Sequence, residues 1–400
     1  MEFTQSSRLA GVAPSPTVAA SQKARDMKAA GRDIIALCAG EPDFDTPEAV
    51  KAAAIEAIRR GETKYTSVDG IPELKRAIAN KFWRDNGIDY QLDEITVAPG
   101  GKAVIASALA ASLNPGDEVV VPAPYWTSYP DMVRLFGGAP RIVETTPSSG
   151  FRLDANDLAA AISPRTKWLI LNSPSNPTGA VYDRTDLQAL ADVLLAHPHV
   201  LALSDDIYEK IHYDGAFATL AAVEPRLKAR TLTVNGSSKA FAMTGWRIGY
   251  AGGPRRLIQA MAKVASQTTS NPCSISQWAA LAALEGDQSI LRDRLLAYRR
   301  RRDFVVRELN AAQGVSCPTP AGAFYVFASC AGAIGKKTPD GRRLGTDMEF
   351  VDALLEAEGV ALVAGAAFGA SPYLRLSYVA SDETLRDACA RIKRFCASLA

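Results

Sequence analysis

The residues of this chain that are best suited to chemistry follow strand-like runs. In chain order they are Asp205, Tyr208, Ser237, Ser238, Lys239 and Arg247. Asp205 comes after the apolar run at 200–203, and Lys239 follows the run at 231–234 after a short polar segment. Because open α/β sheets bind ligands at the carboxyl ends of their strands, these positions favour a ligand site.

An amine, a guanidinium, a carboxylate and a phenol in this arrangement are the groups that pyridoxal phosphate requires. Lys239 can form a Schiff base with the aldehyde, and we expect nearby positive charge such as Arg247 to lower its pKa. Arg247 can also pair with the phosphate. Asp205 can keep the pyridine nitrogen protonated, although Asp206 is equally eligible by composition, and Tyr208 can hydrogen-bond the ring hydroxyl. Lys239, once free, can act as the base.

Two glycines before a helical segment predict an anion site. Gly100 and Gly101 follow a strand-like run, and bare amides at a helix start bind phosphate. The next residue, Lys102, has two candidate roles, as a neighbour of the phosphate or as a substrate anchor.

Four further residues are candidates for binding cofactor or substrate. Asn176 lies in a turn-like segment after the run at 168–171, where its amide can reach a ring oxygen and a substrate carboxylate. Trp126 offers a flat face and an indole N–H, and its alternative role is in the core. Arg375, flanked by leucines, would be costly to bury unless it were paired, for instance with the α-carboxylate of an amino acid. Gly40 can admit the same carboxylate against its backbone N–H.

The chain resembles class I aminotransferases, which are fold-type I pyridoxal-phosphate enzymes, over residues 14–395. Within them it is most similar to bacterial aspartate aminotransferases, including aspartate/prephenate enzymes. Besides the lysine segment at 235–249, the matching stretches lie at 39–47, 64–66, 70–74, 100–102, 124–126, 172–179 and 375–378.

The resemblance implies an α/β fold with a large, mostly parallel sheet domain and a smaller α/β domain. Residues 1–45 would form an N-terminal arm and part of the small domain, residues 46–290 the large cofactor-binding domain, and residues 291–400 the rest of the small domain. It selects Asp205 over Asp206, because the family aspartate lies three residues before the tyrosine. Gly236 replaces a family serine, so the phosphate contacts would shift to Ser237 or Ser238.

The resemblance also implies a homodimer with shared active sites, because Tyr65 matches a tyrosine that reaches the partner's phosphate. Lys102, Ser15 and Thr17 would bind the distal carboxylate of a dicarboxylic substrate, whereas residues 266–277 contain no arginine for that role. We therefore expect ping-pong transamination between aspartate and 2-oxoglutarate, with prephenate as a possible further substrate. An aromatic or broad-specificity aminotransferase is the alternative, followed by a β-lyase or decarboxylase, and then a non-enzymatic regulator that senses a ligand.

Composition argues for an ordinary two-domain enzyme. The 400 residues carry a formal net charge of +2, which gives no field for nucleic acid or an anionic membrane. No apolar run is long enough for a membrane helix and no secretory signal is evident. The spacing of the six cysteines and three histidines predicts reduced thiols, no metal site and a cytoplasmic location.

Strand-like runs alternate with helical segments from residue 95 onward, which predicts a largely parallel sheet. Among the helices, we expect one at 21–30, one at 47–60 with Thr46 as its N-cap, and one at 72–86 that stops at Gly87. A long helix at 289–311 contains the basic run 299–302. We expect this run to be a solvated face, opposite an apolar stripe formed by Leu295, Leu296, Phe304 and Val305.

Overall fold

The computed structural model describes residues 3–9 and 11–400. The strands of this part of the chain are β1 Ile35–Ala36, β2 Ile95–Ala98, β3 Glu118–Ala123, β4 Ala139–Glu144, β5 Thr166–Asn172, β6 Leu201–Asp205, β7 Thr231–Gly236, β8 Gly249–Gly252, β9 Tyr325–Ser329, β10 Val360–Ala361, β11 Val363–Ala364 and β12 Tyr373–Ser377.

Helices cover both faces of the main sheet and surround the smaller ones. In the same described residues they are α1 Pro16–Ala29, α2 Glu48–Arg59, α3 Pro72–Asn86, α4 Gly101–Ser112, α5 Ser128–Leu135, α6 Ala155–Ala161, α7 Arg184–Ala196, α8 Leu220–Val223, α9 Arg255–Thr268, α10 Ser274–Glu285, α11 Ser289–Asn310, α12 Asp347–Glu358 and α13 Asp382–Ser398.

The largest sheet in the described part of the chain has seven strands in the order β2-β8-β7-β6-β5-β3-β4. The neighbours from β7 to β4 are parallel, and β8 runs antiparallel to both β2 and β7. The prediction of a largely parallel sheet is confirmed. Because parallel strands end at the same edge, β5, β6 and β7 deliver the residues that follow them to one place.

A second group of strands lies outside this sheet. Strands β11, β12 and β9 form an antiparallel sheet, and β1 pairs in parallel with β10. The apolar segment at 360–364 is therefore divided between two sheets. The pairing of β1 with β10 joins an N-terminal strand to the C-terminal part of the chain. The domain boundaries at 45 and 290 stay predictions.

Some helix ends follow the predicted capping rules and others do not. Helix α3 ends at Gly87, which adopts a left-handed φ of +68° as predicted. Helix α1 begins at Pro16, earlier than predicted, because proline suits the first turn. Thr46 is not the N-cap of α2. Its hydroxyl donates to the carbonyl of Ala242 (2.8 Å) and accepts from the indole of Trp246 (3.0 Å), so it holds the segment between β7 and β8.

Helix α11, which contains the basic run, is less solvated on its arginine side chains than the sequence predicts. Arg294 is buried and donates to the carbonyls of Asp45 (2.6 Å) and Ala240 (3.1 Å). Arg302 is buried too, whereas Leu296 is 51% exposed. A guanidinium can be buried where several carbonyl oxygens accept hydrogen bonds from its N–H groups. For Arg294 these acceptors come from distant parts of the chain.

The cysteines and the helix composition bear on the chemical environment that suits this chain. The cysteines are present as free thiols, five of them buried and Cys273 exposed. Among the described residues, none of the helices combines the length and apolar content that a bilayer crossing requires.

Candidate active site

A cavity of about 560 Å³ lies at the carboxyl ends of β5, β6 and β7, where the segment after β1 and strand β12 approach the main sheet. It brings together most of the residues singled out from sequence. The predicted residues that line it are Ser15, Thr17, Gly40, Gly101, Lys102, Trp126, Asn176, Asp205, Tyr208, Ser238, Lys239, Arg247 and Arg375.

Lys239 lies in the loop between β7 and β8, and its amine points into the cavity. Lys239 Nζ donates to the carbonyl oxygen of Gly40 at 2.7 Å. Two other residues of the loop, Ala242 and Arg247, adopt left-handed φ values of +54°. This conformation is costly for residues with a side chain and is typical of functional loops, where the surrounding structure enforces it.

The pKa of Lys239 is lowered to about 8, chiefly by burial and to a smaller extent by repulsion from Arg247 and Arg375. Glu41 and Asp205 act in the opposite direction. The expected influence of Arg247 is therefore real but secondary to desolvation. A lysine with this pKa is partly uncharged near neutral pH, which a nucleophile or general base requires.

Asp205 ends β6 and faces the cavity, whereas its neighbour Asp206 points away from it. Tyr129 donates its phenolic proton to Asp205 Oδ2 at 2.6 Å. Burial raises the pKa of Asp205 to about 6, against the lowering effect of this hydrogen bond. Asp206 is buried and accepts a hydrogen bond from Ser204 at 2.7 Å. The two aspartates lie in different surroundings because successive residues at the strand end point in opposite directions.

Arg375 on β12 reaches the main sheet from the other side of the cavity. It is 1% exposed, and it donates to Asn176 Oδ1 (2.9 Å) and to the carbonyl of Cys38 (2.5 Å). Its guanidinium carbon lies 4.6 Å from the centre of the Tyr325 ring. These partners are neutral, and Nε has none among the described residues. The buried guanidinium therefore keeps its positive charge available for an anion.

The start of α4 and the Arg247 guanidinium form a compact anion-binding corner. Gly100 has a φ of +92°, and a Cβ there would collide with the guanidinium of Arg247. A Cβ at Gly249 would collide with the backbone of Gly101. Both glycines thus allow β8, α4 and Arg247 to approach one another, so that the first amides of α4 and a cation face the same space.

Lys102 extends from the first turn of α4 towards the indole of Trp126. Its Nζ lies 4.9 Å from the ring centre, within the range of a cation–π interaction. Burial, with repulsion from Arg247, lowers the pKa of Lys102. From this position Lys102 could contact either a phosphate or a substrate, so both candidate roles stay open.

Three predicted residues do not line the cavity. Gly100 lies just behind it, and Ser237 is fully buried with a hydroxyl that has no partner among residues 3–9 and 11–400. Tyr65 is 90% exposed.

Several residues that line the cavity escaped the sequence analysis. Tyr129 lies one helical turn after Trp126 and packs edge-on against it, 5.3 Å between ring centres. Tyr325 donates to or accepts from Tyr208, with the two hydroxyl oxygens 2.8 Å apart. Glu41 accepts a hydrogen bond from Thr244. The spacing of Tyr129 from Trp126 was a usable signal, whereas the other contacts join residues far apart in sequence.

The chain is similar to known aminotransferases over nearly its whole length. The profile of the family described as aminotransferase class I and II matches residues 32–392. The aspartate/prephenate aminotransferase of Cereibacter sphaeroides is 58% identical over 395 residues, 98% of this chain and 99% of that protein. The crystal structure of the aspartate aminotransferase from Rhizobium meliloti shares 56% identity, with a TM-score of 0.97 and 100% of both chains covered.

A third relative was solved with a small dicarboxylate. The structure of the aspartate aminotransferase from Thermus thermophilus with maleate shares 46% identity at a TM-score of 0.92, covering 98% of this chain and 100% of that one. The fold described above is thus the aspartate aminotransferase fold, and the predicted fold class is confirmed.

The lowered pKa of Lys239 predicts unusual reactivity of its amine. In protein freed of cofactor, acylation of Lys239 by acetic anhydride should be half-maximal at about pH 8, because the amine is protonated below that pH and free above it. Peptide mapping after labelling across a pH series measures this. The same residue in urea-unfolded protein should titrate near its ordinary value of 10.5. A midpoint near 10.5 in folded protein would contradict the burial argument.

Proposed function

Because the chain belongs to the class I and II aminotransferase family, we propose that it transfers the amino group of aspartate to 2-oxoglutarate in a ping-pong reaction. The observation that carries the proposal is the convergence on one cavity of a partly buried lysine, a buried aspartate and three further cations. These are Lys239, Asp205, Arg247, Lys102 and Arg375. Such a site has a nucleophile, an anchor for a ring nitrogen and separate partners for a phosphate and two carboxylates.

Pyridoxal phosphate is the cofactor that these residues suit. Asp205 is a buried carboxyl with a pKa of about 6 and no cation bonded to it in the described part of the chain, so a protonated ring nitrogen beside it would hold it ionised. The buried hydroxyl of Ser237 lacks a partner among the described residues. The corner formed by Gly100, Gly101 and Arg247 offers amides and a guanidinium to a phosphate.

When bound, pyridoxal phosphate supplies an aldehyde for the amino group and a ring that withdraws electrons. In the proposed arrangement Lys239 holds it covalently, and Gly101, Ser238 and Arg247 hold its phosphate. Tyr208, Asn176 and Trp126 contact its ring, with Asp205 at the ring nitrogen. Asn176 would serve twice, since its side-chain oxygen also accepts from Arg375.

Lys239 is the proposed base for the substrate α-carbon. The free amine of Lys239 has a pKa of about 8 in the protein without cofactor, so it would be able to accept the α-proton and return it near neutral pH. Arg375 would hold the α-carboxylate, with the backbone of Gly40 beside it. A Cβ at residue 40 would collide with the Tyr325 hydroxyl, so glycine keeps this space open.

The proposed preference for a dicarboxylic substrate rests on three residues that line the cavity. Lys102, Ser15 and Thr17 would receive the distal carboxylate. The maleate of the Thermus thermophilus relative is a four-carbon dicarboxylate, as aspartate is. The name of the Cereibacter sphaeroides relative adds prephenate as a candidate second substrate.

We also propose a homodimer in which Tyr65 completes the partner's phosphate site. Tyr65 is largely exposed, and the preceding helix α2 exposes Ile55 (49%) and Ile58 (54%). Exposed apolar side chains in one segment favour a contact with another protein surface. A second copy of this chain would cover them.

Lys239→Ala should reduce transamination by at least about a hundred-fold while the protein stays folded, because it removes the base and the covalent link to the cofactor. Borohydride reduction of the wild-type holoenzyme should fix the cofactor on Lys239, as read by peptide mapping. A label on another lysine would refute the assignment.

Cofactor absorbance with aspartate, glutamate, alanine, phenylalanine and arogenate tests the substrate class. Loss of carbon dioxide from aspartate would indicate a decarboxylase.

Lys102→Met should lower kcat/KM for aspartate and glutamate about ten- to a hundred-fold, because a hydrogen bond to a charged group contributes roughly 1.5–3 kcal/mol. Phenylalanine, which has no distal carboxylate, is the internal control and should be little affected. Methionine retains most of the packing on Trp126. An equal loss for all substrates, with weaker cofactor binding, would assign Lys102 to the phosphate instead.

Mixing Tyr65→Ala and Lys239→Ala subunits should restore about one quarter of wild-type activity, because half of the dimers would be hybrids with one intact site each. Activity after reversible dissociation and reassembly of the mixture measures this. The control mixture of Arg375→Ala with Lys239→Ala should stay inactive, since both changes damage a subunit's own site. No recovery in the first mixture, or a fully active monomer on sedimentation, would exclude shared sites.

A further inference from the structure

A buried ion pair outside the cavity joins α3 to the turn that follows Asp205 at the end of β6. Lys81 Nζ lies 2.5 Å from Glu209 Oε1, and the two side chains are 2% and 4% exposed. Asn86 closes the contact, since it accepts from Lys81 (2.8 Å) and donates to Glu209 Oε2 (3.0 Å). The three side chains therefore form a closed triangle of polar contacts.

The turn attached to this pair presents the two cavity residues at 205 and 208. Its start is tied to the main sheet, because the Asp206 N–H donates to the carbonyl of Val234 on β7 at 2.9 Å. Its other end is tied to α3 through the side chain of Glu209, which directly follows Tyr208. Between these ties, the Glu209 N–H donates to the carbonyl of Asp206 at 2.9 Å. The turn is thus fixed at both ends.

A contribution to folding stability does not by itself explain why Lys81 and Glu209 are buried as an ion pair. Removing two ions from water costs several kcal/mol each, and well-packed apolar residues of similar volume are often as stable or more so. An ion pair that is also hydrogen-bonded to a third side chain differs from an apolar contact, because it fixes both the orientation and the distance of the two charged groups. The pair therefore specifies where the turn lies.

We propose that Lys81 and Glu209 are positioning residues that hold the 205–209 turn so that the Asp205 carboxylate and the Tyr208 hydroxyl meet the ring of bound pyridoxal phosphate. The proposal rests on the proposed function. Neither residue touches the cavity, so their effect passes through the turn backbone. Arg375 and Lys102, the proposed carboxylate anchors, lie on other elements and keep their places when the pair is lost.

The test replaces both charges at once, so that neither Lys81 nor Glu209 is left buried without the other. The double variant Lys81→Met/Glu209→Leu should fold, with a melting temperature within about 4 °C of wild type. Its kcat with aspartate should fall about ten- to a hundred-fold, because small displacements of reacting groups have effects of that size. KM for aspartate should change by less than about twofold. The apoenzyme's dissociation constant for pyridoxal phosphate, from fluorescence titration, should rise more than about tenfold.

A matched control removes an ion pair of equal length elsewhere. Lys393 and Glu308 join α13 to α11 at 2.5 Å, and Lys393→Met/Glu308→Leu should leave kcat and cofactor affinity unchanged. A folded Lys81→Met/Glu209→Leu variant with wild-type kcat and cofactor affinity, or one changed only in KM, would overturn the proposal. If this variant does not fold, Glu209→Gln decides by the same two readouts. If wild type does not transaminate aspartate, the proposed substrate fails, while the cofactor affinities still judge the positioning role.

Discussion

The rest of the site depends on keeping one amine partly uncharged among cations. Arg247, Arg375 and Lys102 line the cavity with Lys239, and they are the positive groups that a doubly anionic cofactor and a dicarboxylic substrate would need. Burial and the repulsion of Arg247 and Arg375 lower its pKa, while Glu41 and Asp205 limit the fall, so that the value lies near 8. Without the two carboxylates the cavity would hold only positive charge, and with more of them the amine would remain protonated.

The cavity lies between two sheets, and each sheet contributes polar or charged side chains to its lining. Strands β5, β6 and β7 end together and supply Asn176, Asp205 and the lysine loop, whereas Arg375 comes from the antiparallel sheet that contains β12. The hydrogen bond between Arg375 and Asn176 joins the two sides. The residue that we propose for binding an α-carboxylate therefore lies beside the residues that we propose for holding a ring, although they come from different sheets.

Backbone geometry decides how closely the anion-binding groups can approach. Gly100 and Gly249 allow β8 and α4 to pack at distances that a Cβ would prevent, and Arg247 adopts a left-handed φ to reach the same corner. Such conformations oppose folding locally, so the surrounding packing must enforce them. Thr46 contributes here, since its hydroxyl joins the lysine loop at both Ala242 and Trp246.

The sequence by itself determined the alternation of strands and helices, the mostly parallel sheet and the residues that gather at its edge. These follow from local patterns, because an apolar run predicts a strand and the residue after it must lie at the strand end. Helix α3, with Pro72 at its start and Gly87 after its end, was predictable for the same local reason.

The tertiary structure alone decided the contacts between residues distant in sequence. Strand pairing divided the segment at 360–364 between two sheets. Carbonyls distant in sequence allowed Arg294 to be buried on the helix whose basic run at 299–302 was expected to be solvated. Burial set the pKa of Lys239 and Asp205, since desolvation depends on the whole packed molecule. The same is true of the ion pair between Lys81 and Glu209, because a buried charge is stable only where folding supplies its partner.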